Sequence, residues 1–189
     1  MRYLIPVRQI SLGCALLIVT FSQSFAAGEV VVTAGLECNA VTPLHAKRAE
    51  WREYGIVNKD NTKDLWVSCP LDRIDASSFS YRHFSAALSV FNIESSANST
   101  AEISCYLKEM LGSKRVSGNN RIASVDSGQQ TILGVCDLEP QDWTSSFIWV
   151  CRLPAGAGIS SLMTESHLPG ISNSLLAQQL ADSGTSCVD

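Results

Sequence analysis

Residues 145–154 read Ser145-Ser146-Phe147-Ile148-Trp149-Val150-Cys151-Arg152-Leu153-Pro154. Phe147, Trp149, Cys151 and Leu153 alternate with Ile148, Val150 and Arg152, the two-residue period of a β-strand. The alternation is not one of apolar against polar. Apart from Arg152 both faces are apolar, which predicts a strand in the middle of a sheet, and Pro154 closes it. Cys151 places a cross-link where this strand meets the core.

Outward from this strand the same period recurs. Residues 83–93 offer Phe84, Ala86, Leu88 and Val90 on one face, with Ala87, Ser89, Phe91 and Ile93 on the other. Residues 101–110 set Ile103, Cys105 and Leu107 against Glu102, Ser104, Tyr106 and Lys108, a clean in/out strand with Cys105 inward and Tyr106 outward. Residues 121–125 and 131–137 bracket the turn-forming run Asp126-Ser127-Gly128-Gln129 and read as a hairpin, preceded by a basic loop over 112–120. Residues 52–58 and 65–69 flank a polar connection, Lys59 to Asp64, and also read as a hairpin, with Tyr54, Ile56 and Trp66 facing inward. Val30 to Thr33 form a short edge strand, and 159–164 a last one. Helix signals are confined to two short segments: Thr42 as N-cap with Pro43 at the first position, and 173–182 with Asn173 as N-cap. The expected fold is all-β: a single antiparallel β-sandwich of seven to nine strands, disulfide-stabilised, with short terminal helical segments.

The first 26 residues read as a signal peptide. Arg2 and Arg8 precede an apolar run over 10–20, and Ser24-Phe25-Ala26 supplies small residues at the cleavage positions. The run is shorter than the roughly 20 apolar residues a membrane helix needs. The domain then covers 27–189, with no membrane span after cleavage and a secreted or periplasmic destination. Six cysteines remain, at 38, 69, 105, 136, 151 and 187, with no CxxC spacing, so disulfides are expected rather than zinc. Strand position suggests Cys105 with Cys136, Cys69 with Cys151, and Cys38 with Cys187. The formal net charge of −4 shows no clustering and argues against a nucleic-acid partner.

The layout Tyr54-Gly55-Ile56-Val57-Asn58, Cys69-Pro70-Leu71, Cys105-Tyr106-Leu107 and Cys151-Arg152-Leu153-Pro154 resembles secreted bacterial β-sandwich proteins of no assigned activity. The resemblance covers roughly residues 50–164 and implies the fold and the compartment. It transfers no functional residue.

Motifs for chemistry are sparse. His45, His83 and His167 stand in distant segments without an HxH or HxxxH spacing, and no GxSxG elbow is present. Asn58, Asp60, Thr62 and Asp64 alternate oxygen ligands as the first half of a calcium loop does. The central Gly is missing, and Cys69 stands where such a loop needs a bidentate Glu. No metal and no cofactor are therefore expected. Asn98-Ser99-Thr100 is a glycosylation sequon. The positive signal is aromatic: Trp51, Tyr54, Trp66, Tyr81, Tyr106 and Trp143 suffice for a stacking surface, with Tyr106 and Trp143 as the candidate binding face. The sequence thus predicts a non-catalytic binding module for a glycan or an envelope protein. A hydrolase built on dispersed carboxylates is the alternative.

Overall fold

The computed structural model describes residues 30–71, 83–93, 99–112, 114–140, 145–170 and 174–182. The signal segment, Tyr81, Asn98, Trp143, Asn173 and Cys187 lie outside them. In chain order the elements are β1 (Val30–Ala34), a 3-10 turn (Gly35–Glu37), β2 (Asn39–Ala40), α1 (Pro43–Ala46), β3 (Ala49–Arg52), β4 (Gly55–Asn58) and β5 (Leu65–Pro70). There follow β6 (His83–Asn92), β7 (Thr100–Leu111), β8 (Lys114–Asp126), β9 (Gln130–Leu138), β10 (Ser146–Leu153), β11 (Ala157–His167) and α2 (Leu175–Asp182).

These strands form two antiparallel sheets. One runs β3-β4-β11-β6-β9, with β1 also on β11; the other runs β2-β5-β10-β7-β8. The stretch 145–154 is therefore the central strand of the second sheet. Its inward residues Phe147, Trp149, Cys151 and Leu153 are all buried and meet Phe84, Leu88, Val90, Ile159 and Leu162 of the first sheet in one core. The Phe84 and Phe147 rings stack with centroids 4.5 Å apart. Polar staples cross between the layers. Asn58 donates to the Leu153 carbonyl at 2.9 Å, Asn92 to that of Val125 at 3.1 Å, and Arg121 to that of Gly134 at 2.8 Å. The fold class is as the alternation predicted. Eleven strands occur among the described residues rather than seven to nine, because the short β2 and β3 carry no alternation that announces them.

Both expected hairpins are corrected. β4 and β5 lie in different sheets, as do β8 and β9, so their polar turns are crossovers between layers. The basic loop over 112–120 is mostly strand: β7 and β8 form one long ribbon paired from Thr100↔Asp126 to Leu111↔Lys114. Turn composition marks where a chain reverses but not which sheet receives it.

The disulfide pairing is also corrected. Cys38 bonds Cys69 and Cys105 bonds Cys151, each with Cα atoms 4.1 Å apart. Cys105 and Cys151 are direct cross-strand neighbours on β7 and β10, and Cys38 leads into β2, whose Asn39 pairs with Ser68. Side chains directly opposite one another in an antiparallel pair are the closest in a sheet. Cross-strand register therefore decides the pairing, where strand ends and chain order do not. Cys136 is also disulfide-bonded, but it sits on the outer face of the first sheet, away from Cys105.

α2 packs on that outer face. Leu176, Ala177 and Leu180 cover Ala87, Cys136, Ile132 and Met163. Gly134 makes the close approach possible: a Cβ there would lie 2.4 Å from the Leu180 side chain. The N-cap is Ser174, whose hydroxyl accepts from the Ala177 amide at 2.9 Å.

Candidate functional site

The outward residues of β10 are Ile148, Val150 and Arg152. Register places Pro70 and Lys108 beside Ile148, Ser68 and Tyr106 beside Val150, and Trp66 and Ser104 beside Arg152. β8 adds Asn120 next to Tyr106 and Ile122 next to Ser104. Residues paired across antiparallel strands project from the same face, so these side chains share the outer surface of the second sheet. Trp66 and Tyr106 are half-buried, and Ile122 is 56% exposed. The solvent face of an antiparallel sheet is ordinarily polar; the middle of this one is aromatic and aliphatic. Trp66 and Tyr106 lie on the two strands flanking β10 and one two-residue step apart, which sets their Cα atoms about 12 Å from each other.

A charged bridge borders the apolar centre. Arg152 donates through Nη2 to Glu102 Oε1 at 3.2 Å, and its Nη1 stands 3.7 Å from Asp64 Oδ2. Its Nε is shielded from solvent and has no acceptor among the described residues. Arg48 steadies the loop by donating to the Asp64 carbonyl at 2.7 Å. Lys108, beyond Tyr106, makes no ion pair among the described residues.

A second polar cluster lies buried beneath the N-terminus of α2, on the other sheet. Glu165 accepts from the Leu175 and Leu176 amides at 2.9 and 2.7 Å and from the Ser174 hydroxyl at 2.8 Å. Ser85 Oγ lies 3.2 Å from Ser174 Oγ and 2.9 Å from His167 Nε2. His167 Nδ1 faces the Leu168 carbonyl at 2.7 Å; a carbonyl only accepts, so Nδ1 carries the proton. His83 Nδ1 stands 2.8 Å from Asp137 Oδ1, which also accepts from the Gly170 amide at 3.0 Å. The fold thus gathers two of the three histidines that lie far apart in sequence. A serine on an imidazole is the beginning of a nucleophilic relay, but Ser85, His167, Glu165 and Ser174 are all fully buried. Substrate has no access. The cluster docks a helix: a carboxylate and a serine cap the first turn of α2, where the free amides and the helix dipole favour an anion.

Within residues 58–64 the side-chain oxygens of Asn58 and Asp60 are likewise used within the chain, Asn58 Oδ1 accepting from the Asp60 amide at 3.0 Å. Asp60 Oδ1 accepts from the Thr62 amide, the Thr62 hydroxyl and the Lys63 amide at 2.9, 2.9 and 3.1 Å, and its Oδ2 lies 3.6 Å from Arg48. These hydrogen bonds, those from Thr62 first, hold its carboxyl below the usual range. The loop is an Asx turn, and no group of three His, Cys, Asp or Glu side chains that could hold a metal ion occurs among the described residues.

Of the sequence candidates, Tyr106 stands on the outer face as expected. Trp51 and Tyr54 are exposed but belong to the first sheet, where Tyr54 packs edge-on to Phe91. The aromatics therefore do not form one surface. Trp66 faces outward, against the inward placement that the hairpin reading predicts. Cys69 faces the core with Val67 and Leu65, so parity along β5 turns Trp66 out. Asp64, Glu102 and Arg152 carry no motif, and only the register unites them.

No protein-family model matches the chain, and no curated protein matches it. Among solved structures, similarity extends to the CBM22-1 xylan-binding domain from Paenibacillus barcinonensis Xyn10C (10% identity, 76% of this chain and 98% of that one, TM-score 0.44). It extends also to the C-terminal family 22 carbohydrate-binding module of Clostridium thermocellum Xyn10B (13%, 74% and 82%, TM-score 0.42). A third is TmCBM61 in complex with beta-1,4-galactotriose (8%, 74% and 94%, TM-score 0.40). At these identities and scores the likenesses have no bearing on what this chain binds.

Proposed function

We propose that this protein is a non-catalytic, exported binding module that takes a glycan on the outer face of the second sheet, with Trp66 and Tyr106 as stacking platforms. The observation that carries the reading is the composition of β10. Its inward side chains complete the core, while its outward Ile148 and Val150 leave an apolar strip between two half-buried aromatics. A sugar ring has an apolar C–H face and a rim of hydroxyls. It suits aromatic platforms edged by hydrogen-bonding groups, here Ser68, Asn120, Arg152 and the two carboxylates. The separation of the platforms suits two non-adjacent rings of a chain better than one ring.

Catalysis has less support. Asp64 and Glu102 come together, but on one shared guanidinium, not as an acid facing a base across a substrate. Export is favoured by the disulfides, which persist in oxidising compartments, and by the signal-like residues 1–26. No helix among the described residues is long and apolar enough to cross a membrane.

The test is affinity electrophoresis of the oxidised protein through gels containing soluble polysaccharides, followed by calorimetry on those that retard it. Trp66→Ala and Tyr106→Ala should each weaken binding about tenfold or more, the effect of losing a buried aromatic anchor, with unchanged far-UV dichroism. Retention that survives both substitutions would overturn the reading. So would a stoichiometric protein partner on this face with no glycan bound. Release of reducing sugar would move the assignment to the hydrolase.

A further inference from the structure

The charged bridge beside the platforms has a chemistry of its own. Arg152 is the cation at the Trp66 end of the face, and both its terminal nitrogens already point at carboxylates, Asp64 at 3.7 Å and Glu102 at 3.2 Å. All three are open to solvent, with side-chain exposures of 36%, 43% and 65%. We infer that the face selects neutral, hydroxyl-rich sugars over acidic ones, and that Asp64, Arg152 and Glu102 set that choice. The inference rests on the glycan reading given above.

A sugar carboxylate brought over Arg152 would meet two like charges at the distance of one guanidinium. It would have to displace one of them, and both side chains ion-pair with Arg152 alone among the described residues; the other cation near Asp64, Arg48, is already engaged by the Asp64 carbonyl and the Asp60 carboxylate. A neutral sugar meets no such conflict. Each hydroxyl both donates and accepts. The Asp64 and Glu102 oxygens that do not face Arg152 accept no other hydrogen bond among the described residues and are available to a hydroxyl proton. The Nη1 and Nη2 hydrogens not aimed at these carboxylates are available to a hydroxyl lone pair, whereas Nε is shielded from solvent. Adjacent hydroxyls on one ring can use both at once, through charge-assisted hydrogen bonds that are stronger than neutral ones. Lys108 is the rival feature. It lies on the far side of Tyr106 and is the cation a polyanion would seek.

The experiment compares the full-length oxidised protein on galactan and β-glucan with the same protein on polygalacturonate, a chain of galactose units oxidised at C6, and on alginate, at one low ionic strength. The wild type should bind at least one neutral polymer ten times more tightly than either acidic one. The double variant D64N/E102Q leaves Arg152 as an unneutralised cation and should shift that ratio at least tenfold toward the acidic polymers, with its melting temperature as the folding control. Preference of the wild type for an acidic polymer, abolished in K108Q, would overturn the inference while leaving the glycan reading intact. A ratio unchanged in D64N/E102Q would overturn it in the same way. Failure of the wild type to bind any of the four would overturn the glycan reading and the inference together.

Discussion

Single atoms decide several features of this molecule. Gly55 has φ of +140°, and a Cβ there would lie 1.9 Å from the Ile159 carbonyl oxygen. Neither backbone can give way, because β4 and β11 are paired at Ile159↔Ile56. Gly55→Ala should therefore cost about 3 kcal/mol, in the range of an enforced backbone strain with a steric shift, read as a lowered urea midpoint with unchanged slope. Asp60 gives a pH signature. Its carboxyl is held below the ordinary range by the Thr62 hydrogen bonds, so its contribution is present above the unfolded value of about 3.9 and disappears as pH falls through the lower, folded midpoint. A carboxylate titration by NMR should place that midpoint below the ordinary aspartate value of about 3.9, and Asp60→Asn should remove it. The residue scale is also where the site is least legible in the sequence. Tyr106 is readable because its neighbours alternate cleanly, whereas placing Trp66 requires knowing that Cys69 is inward. Arg152 looks like the polar exception in an apolar strand until its register partners are known.

At the scale of elements, α2 depends on one buried carboxylate. Glu165 satisfies two orphan amides and the Ser174 hydroxyl at zero exposure. Glu165→Ala should destabilise by roughly 2–4 kcal/mol, the cost of leaving such donors unpaired. The Leu175–Ala177 amides should then exchange hydrogen far faster than those of β10. If α2 protection is unchanged, the cap is not what docks the helix. The sequence discloses a helix near the end of the chain, since Leu175, Leu176 and Leu180 repeat at helical spacing. It does not disclose the receptor for that helix, because Glu165 stands just past the strand read over 159–164, with nothing in its neighbours to mark it as a helix cap. The same blindness explains the false hairpins. β8 and β9 meet at a short turn as a hairpin would, yet β8 continues the β7 ribbon and β9 joins β6. Strand partners are chosen by packing faces rather than by the turn between them.

For the whole molecule, the decisive property is that β10 is apolar on both sides, and the two sides have different roles. Inside, it carries Trp149 and the Cys151 half of a cross-link; outside, it floors the proposed binding face. Binding surface and covalent scaffold are thus one strand thick, and the disulfides should matter to function as well as to stability. Cys38–Cys69 and Cys105–Cys151 close loops with sequence separations of 31 and 46, each amounting to roughly 4 kcal/mol of restricted unfolded-state entropy. A domain of this kind holds a margin of only about 5–15 kcal/mol. Reduction should therefore lower the melting temperature by more than about 10 °C, at a few degrees per kcal/mol for a chain of this size, and glycan retention should vanish with the same reductant midpoint. Cys105→Ala/Cys151→Ala offers the sharper measurement. It removes the cross-strand bond under β10 but leaves Trp66, Tyr106 and Arg152 untouched. Weakened binding at a temperature where the variant is still folded would show that the bond holds the two platforms in register. Full binding with a lowered melting temperature would confine the disulfide to stability and leave register to the strand pairing itself.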